Sequence, residues 1–148
     1  MPQSLARIVV HLVFSTKSRE PLIAPEKRPA LFAYLAGTLN ALDCLALEVG
    51  GVSDHVHLLF VLSKNLPLSK VIEEVKKESS KWAKEQVHPR FYWQGGYGAF
   101  SVSASNEAAV AEYIRNQEEH HREMTFQDEV RALTQKNGSP LDERYFWD

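Results

Sequence analysis

The sequence predicts an α+β fold: an antiparallel sheet of the split βαβ, ferredoxin-like (RRM-like) plan, with helices on one face and further helices at the C-terminal end. Three observations predict it. The elements run strand, helix, strand, strand, helix, strand, then two helices. Only a short glycine-bearing turn separates the second strand from the third. The helical segments carry apolar residues at helical spacing, whereas the strand segments are β-branched and aromatic.

Arg7 to Ser15 (RIVVHLVFS) reads as the first strand. Pro21 to Pro25 is a loop. Glu26 to Leu42 has Leu31, Tyr34, Leu35, Leu39 and Leu42 on one helical face, and Asp43-Cys44 stops it. Leu45 to Gly51 is the second strand. Gly50-Gly51 and Ser53-Asp54 supply turn chemistry into the third, His55 to Leu62 (HVHLLFVL). Pro67 and Ser69 open a helix running to about Gln86. His88 to Tyr97 is irregular and aromatic, and Ala99 to Ala104 alternates like a strand. Ser105 or Asn106 caps a helix to about Glu123, with Glu107 at its positive end. Thr125, with Asp128 three residues on, opens a last helix to Gln135, and the aromatic tail Tyr145-Phe146-Trp147 comes after it.

A chain of 148 residues with 44 % apolar and 24 % charged residues suits one globular domain. That domain divides into a core over 1–104, a helix over 105–123, and a last helix and tail over 124–148. Cys44 is the only cysteine, which excludes an internal disulfide and a thiolate zinc cage. No apolar run is long enough to span a bilayer, and Met1-Pro2-Gln3-Ser4 lacks the layout of a secretory signal. A cytoplasmic protein without a membrane partner is expected. The net charge of −2 argues mildly against a non-specific nucleic-acid binder, but leaves room for a local basic stripe.

Four features carry chemistry. His55 and His57 are two apart on a strand, so both imidazoles project from one face and can share a metal ion. An isolated pair of this kind is as easily an ordinary surface or core feature; here both interrupt an apolar strand. Tyr113 and Gln117 stand four apart on one helix. Gln117 offers an amide oxygen, so that His55, His57 and Gln117 together would suit Mg²⁺ or Mn²⁺ and leave positions open for water or phosphate. Tyr113 would then be a nucleophile one turn from the cation, although most helical tyrosines simply pack their rings. Lys70, Lys77, Lys81 and Lys84 line one face of the helix from Leu68, a stripe able to meet a phosphate backbone or only solvent. Phe91 to Tyr97 (FYWQGGY) could stack on unpaired bases or plug the core, and Trp93 reads as a plug. Asp54 adjoins His55 and could orient it or serve the turn. His120 and His121 read as surface residues, and His11, on the first strand, could line the cleft.

These segments occur in a familiar order: VVHLVFSTKSREPLI, then GGVSDHVHLLF, then YWQGGYGAFSVS, then YIRNQEEHH and the TFQDEVRALTQKNG helix. In that arrangement the chain resembles the single-tyrosine HUH transposases of IS200-type insertion sequences, relatives of the transposases associated with repetitive extragenic palindromes. The resemblance implies that His55, His57 and Gln117 hold a divalent cation and that Tyr113, on a mobile C-terminal helix, is the catalytic residue. It implies a homodimer acting on single-stranded DNA with hairpin ends, through a 5′-phosphotyrosine intermediate, with Tyr113 serving either its own or its partner's site. The competing readings are a non-catalytic nucleic-acid-binding module of the same plan, a host-adopted or replicative HUH nickase, and a small metal-dependent hydrolase.

Overall fold

The computed structural model describes residues 2–148. Strands β1 (Val9–Ser15), β2 (Leu45–Gly51), β3 (His55–Val61) and β4 (Gly98–Val102) form one sheet in the order β2-β3-β1-β4, antiparallel throughout. Helix α1 (Arg28–Ala41) connects β1 to β2, and α2 (Leu68–Gln86) connects β3 to β4. This is the predicted split βαβ plan. After β4 come α3 (Glu107–Arg115), the one-turn α4 (Gln117–His120) and α5 (Phe126–Lys136). No helix among the described residues is long and apolar enough to cross a membrane.

The two central strands are buried on both faces, which explains their nearly continuous apolar composition. Alternation sends Val10, Leu12 and Phe14 of β1, with Val56, Leu58 and Phe60 of β3, into one core. There they meet Leu31, Leu35 and Leu39 of α1 and Val71, Ile72 and Val75 of α2. Tyr34 and Trp82 stack at 4.9 Å across the two helices. The opposite face of the sheet carries Val9, His11 and Val13 of β1 and His55, His57 and Leu59 of β3. It is not left open. Ile114 of α3 packs on Val9 and Leu59, while Phe126 and Val130 of α5 pack on Val13 and Phe100. The sheet is therefore a filled middle layer, and the two histidines lie inside the second interface.

Local chemistry sets the element ends. Asp43 takes a left-handed φ of 61° after α1, and the Cys44 amide donates back to Leu39. Thr125 Oγ1 accepts from the Asp128 amide and caps α5. One predicted helix differs. The stretch expected to be continuous from about Ser105 to Glu123 is a 3₁₀ turn, then α3, then α4, with Asn116 between them at φ −97°, ψ 21°. Asparagine competes for local hydrogen bonds and tolerates this bend. The Asn116 and His120 amides still donate four residues back, so the direction of the chain is kept and Gln117 turns inward.

The aromatic segment after α2 is a clasp. Phe91 and Trp93 plug the core, and Trp93 Nε1 donates to Ser79 Oγ at 2.9 Å. Gln94 Oε1 accepts from the Ser15 amide while its Nε2 donates to the Phe146 carbonyl at 2.7 Å. The Gly95 amide donates to the Asp148 carbonyl. The C-terminal tail is thus tied to the end of β1, and Phe146 and Trp147 pack against the α5 cluster.

Gly50 permits the close docking of α3. A Cβ there would stand 2.6 Å from the Ile114 carbonyl oxygen and 2.9 Å from Ile114 Cγ2. Replacing Gly50 by Ala should displace α3 and cost about 1–3 kcal/mol, read as a lowered denaturation midpoint; an unchanged midpoint would show that α3 does not depend on this approach.

Candidate active site

The β1–β3 register sets the site. His57 lies opposite Val13, His55 opposite Ser15, and His11 opposite Leu59. His11, His55 and His57 therefore emerge from the same face of the two central strands, under α3 to α5. His55 and His57 are fully buried. An imidazole so placed needs polar partners.

Glu129, in the first turn of α5, supplies them. Its carboxylate divides its contacts between two sets. Oε1 lies 2.9 Å from His57 Nε2, 3.2 Å from His55 Nε2 and 3.0 Å from His121 Nε2. Oε2 accepts the Tyr113 hydroxyl, accepts from Gln117 Nε2 at 3.0 Å, and lies 3.4 Å from His120 Nε2. Gln117 Oε1 is 3.1 Å from His55 Nε2. The predicted residues His55, His57, Tyr113 and Gln117 are thus brought together within one chain, and the rings of Tyr113 and His57 meet edge-on at 5.7 Å. Three residues that sequence reasoning did not place there join them: Glu129, and His120 and His121, which read as surface residues.

Each imidazole that points inward is held from outside. His55 Nδ1 is 2.7 Å from Asp54 Oδ1, His57 Nδ1 is 2.8 Å from His11 Nε2, and His121 Nδ1 faces the Met124 carbonyl. Asp54 therefore orients His55, while its backbone carbonyl accepts from the Thr16 amide and so also serves the turn. All three Nε2 atoms converge. The candidate ligand atoms of His55, His57, His121 and Glu129 lie within 4.8 Å of one another. Three imidazole nitrogens and a carboxylate oxygen, packed this closely and buried, can hold a divalent cation.

Electrostatics follow from this packing. Burial alone would raise the Glu129 carboxyl, but the hydrogen bonds from His121, His55 and His57 hold it far below the usual carboxylate range. Burial lowers His57 to about 4 and His11 to about 3, so both are neutral. For His55, burial is outweighed by the hydrogen bonds to Asp54 and Glu129, which raise it to about 9. Burial and the Glu129 charge push the Tyr113 hydroxyl well above the ordinary tyrosine range. Without an ion, a cationic His55 offsets the Glu129 anion and Tyr113 keeps its proton.

A cleft of about 450 Å³ opens beside Tyr113, between β4, α3 and α5, with Phe100, Val110 and Leu133 in its walls and Lys136 among its polar lining. The lysine stripe lies elsewhere. Lys70, Lys77, Lys81 and Lys84 belong to α2, on the other side of the sheet. Lys70 pairs with Glu74 at 3.2 Å, Lys77 pairs with Glu74 at 3.4 Å, and Lys84 sits 4.0 Å over the Tyr92 ring.

Known proteins share this arrangement of strand and helix. The family described as IS200-like transposases matches residues 4–117. The transposase of insertion element IS200 from Salmonella typhimurium is 28% identical over 119 residues, 76% of this chain and 78% of that protein, and the Salmonella typhi protein matches equally. The crystal structure of a Deinococcus radiodurans protein described as a transposase superposes with a TM-score of 0.63 at 20% identity, covering 79% of this chain and 98% of that one. A REP-associated tyrosine transposase bound to a REP hairpin superposes with a TM-score of 0.60 at 11% identity, covering 82% and 73%. The structural likenesses carry the fold; the family match, spanning both β3 histidines, Tyr113 and Gln117, carries the membership, and this chain belongs to the IS200-like transposase family.

Proposed function

We propose that this chain is a transposase that cuts and rejoins single-stranded DNA at hairpin-bearing ends, with Tyr113 as nucleophile and His55, His57 and Gln117 holding a divalent cation, Mg²⁺ or Mn²⁺. One observation carries the reading: the Tyr113 hydroxyl and the two β3 histidines contact the same buried carboxylate, Glu129. A tyrosine that merely packs its ring has no reason to bring its hydroxyl into a cluster of imidazoles.

The cation, when bound, supplies Lewis acidity at the scissile phosphate and neutralises local negative charge. The chain's own groups do the rest. Tyr113 Oη attacks phosphorus, the P–O3′ bond breaks, and the 3′-oxygen leaves as a hydroxyl after taking a proton from water. Glu129 Oε2 accepts the Tyr113 hydroxyl and so aims Oη, while the phenolic proton passes to water. The product is a 5′-phosphotyrosine that retains the ester bond energy, so a second 3′-OH can reverse the step and join strands. Asp54 and His11 fix the orientations of His55 and His57. The cleft beside Tyr113 gives the flanking nucleotides a route to the hydroxyl.

Likeness to a hairpin-bound relative supports the choice of substrate, and a homodimer is proposed on the family resemblance. Tyr113 stands against its own chain's histidines, which favours action in cis in this state. The α2 stripe, Lys70, Lys77, Lys81 and Lys84, is proposed as a backbone contact for the hairpin, remote from the cut. A simple nucleic-acid-binding module of this plan keeps its sheet face open for bases; here α3 and α5 cover it.

Replacing Tyr113 by Phe should lower cleavage of a single-stranded hairpin substrate by about a thousandfold or more and abolish the covalent adduct on a denaturing gel, with DNA binding retained. Cleavage at the parental rate would refute the nucleophile. Replacing His57 by Ala should remove metal-dependent cleavage, and parental activity with or without metal would refute its role. Replacing all four stripe lysines by Ala should flatten the dependence of log K on log[salt] by about 0.9 for each phosphate of the duplex stem that the stripe neutralises. An unchanged slope in a binding titration would remove the stripe from the DNA interface.

A further inference from the structure

We infer that the ion site is completed from beyond the family's matched segment, by His121 and Glu129, and that it is therefore a transition-metal site which prefers Mn²⁺, Co²⁺ or Zn²⁺ to Mg²⁺. The inference deepens the proposed function and rests on its premise that this cluster holds a cation. The match to the family ends at residue 117. His121 follows α4 and Glu129 lies in the first turn of α5, both after that segment.

Geometry supports the assignment. The distances from Glu129 Oε1 to His57, His55 and His121 Nε2 are 2.9, 3.2 and 3.0 Å. Ligands about 2.1 Å from one ion stand about 3.0 Å apart at right angles and about 3.4 Å apart at tetrahedral angles. His55 Nε2 to Gln117 Oε1, at 3.1 Å, fits the same spacing. His121 shares the outer support that His55 and His57 have. Its Nδ1 is engaged by the Met124 carbonyl, which directs Nε2 inward. A ligating histidine is held in this way, by a partner on its second nitrogen. His120, its neighbour, has no such arrangement and remains partly exposed, at 28%.

The donor set then decides the metal. Mg²⁺ demands oxygen ligands and keeps its waters. Three imidazoles with one carboxylate favour first-row transition ions over Mg²⁺, with Co²⁺ and Zn²⁺ bound more tightly than Mn²⁺. Glu129 also gives the site a negative charge that two histidines and an amide lack. Its second oxygen holds Tyr113, so the ion and the nucleophile share one carboxylate.

The test is calorimetric titration of the metal-free full chain with MnCl₂ and with MgCl₂, DNA absent. One Mn²⁺ per chain is expected, bound at least tenfold tighter than Mg²⁺. His121→Ala and Glu129→Ala should each weaken Mn²⁺ at least tenfold, with the folded state checked by circular dichroism. Glu119→Gln, on a neighbouring exposed carboxylate, should leave it unchanged. His121→Gln, closer in size, covers the case of a misfolded alanine variant and should also weaken Mn²⁺ at least tenfold. Parental Mn²⁺ affinity in the folded His121 and Glu129 variants, equal affinity for Mg²⁺, or no Mn²⁺ binding by the parent would each overturn the inference. Failure of the proposed reaction is separable: Tyr113→Phe should keep its Mn²⁺ affinity, so intact Mn²⁺ binding without cleavage by the parent chain would count against the chemistry and not the ligand set.

Discussion

The buried carboxylate of Glu129 is where the two halves of this molecule meet. One oxygen faces three imidazoles, of which two rise from the central strand β3 and one follows α4. The other holds a tyrosine and a glutamine from the α3–α4 segment. An anion enclosed in protein is tolerated only where charge-assisted hydrogen bonds replace the lost water. Here the sheet supplies part of that replacement and the C-terminal helices supply the rest. Remove the carboxylate and two buried histidines lose their common partner; remove the histidines and the carboxylate has no compensation.

Several features some distance away serve this meeting. The capped start of α5 puts Glu129 in the first turn, where the helix dipole favours a negative charge. Phe126 and Val130, on either side of it, pack on Val13 and Phe100 and hold the turn against the sheet. The tail extends this hold: Phe146 and Trp147 join the α5 cluster, and Gln94 links the tail to the end of β1. On the other flank, Gly50 lets α3 lie close enough for Tyr113 to reach the same carboxylate. Helices α1 and α2 play no direct part. They bury the reverse of the sheet and so make β1 and β3 a stiff base for the histidines.

Much of this was legible in the sequence. The strand-helix order implied the sheet plan. Two polar rings inside the apolar run HVHLLFVL pointed to a candidate site, the four-residue spacing put Tyr113 and Gln117 on one helix face, and the family resemblance joined the two. Trp93 as a plug and Thr125 as a cap came from local chemistry. What was hidden was long-range. Glu129 lies 72 residues from His57, and a glutamate in a first helical turn has a sufficient local explanation in the helix dipole. A usable signal did exist: Phe126, Glu129, Val130 and Leu133 share one helical face, so the charge sits on an otherwise apolar stripe. His121 was harder, because the bend at Asn116 reorients the residues beyond it, and no simple helical wheel through residue 116 predicts their direction. The lysine stripe shows the opposite limit. Periodicity located its helix face correctly but not the side of the sheet on which that helix packs.

The ion proposed for these side chains would replace a set of hydrogen bonds around Glu129 with coordination. The most direct measurement is anomalous diffraction from crystals of the chain grown with Mn²⁺, recorded above and below the manganese edge. One peak is expected within bonding distance of His55 and His57 Nε2 and Gln117 Oε1, completed by His121 Nε2 and Glu129 Oε1. A peak bound by His55, His57 and Gln117 alone, with Glu129 and His121 turned away, would contradict a site centred on this carboxylate.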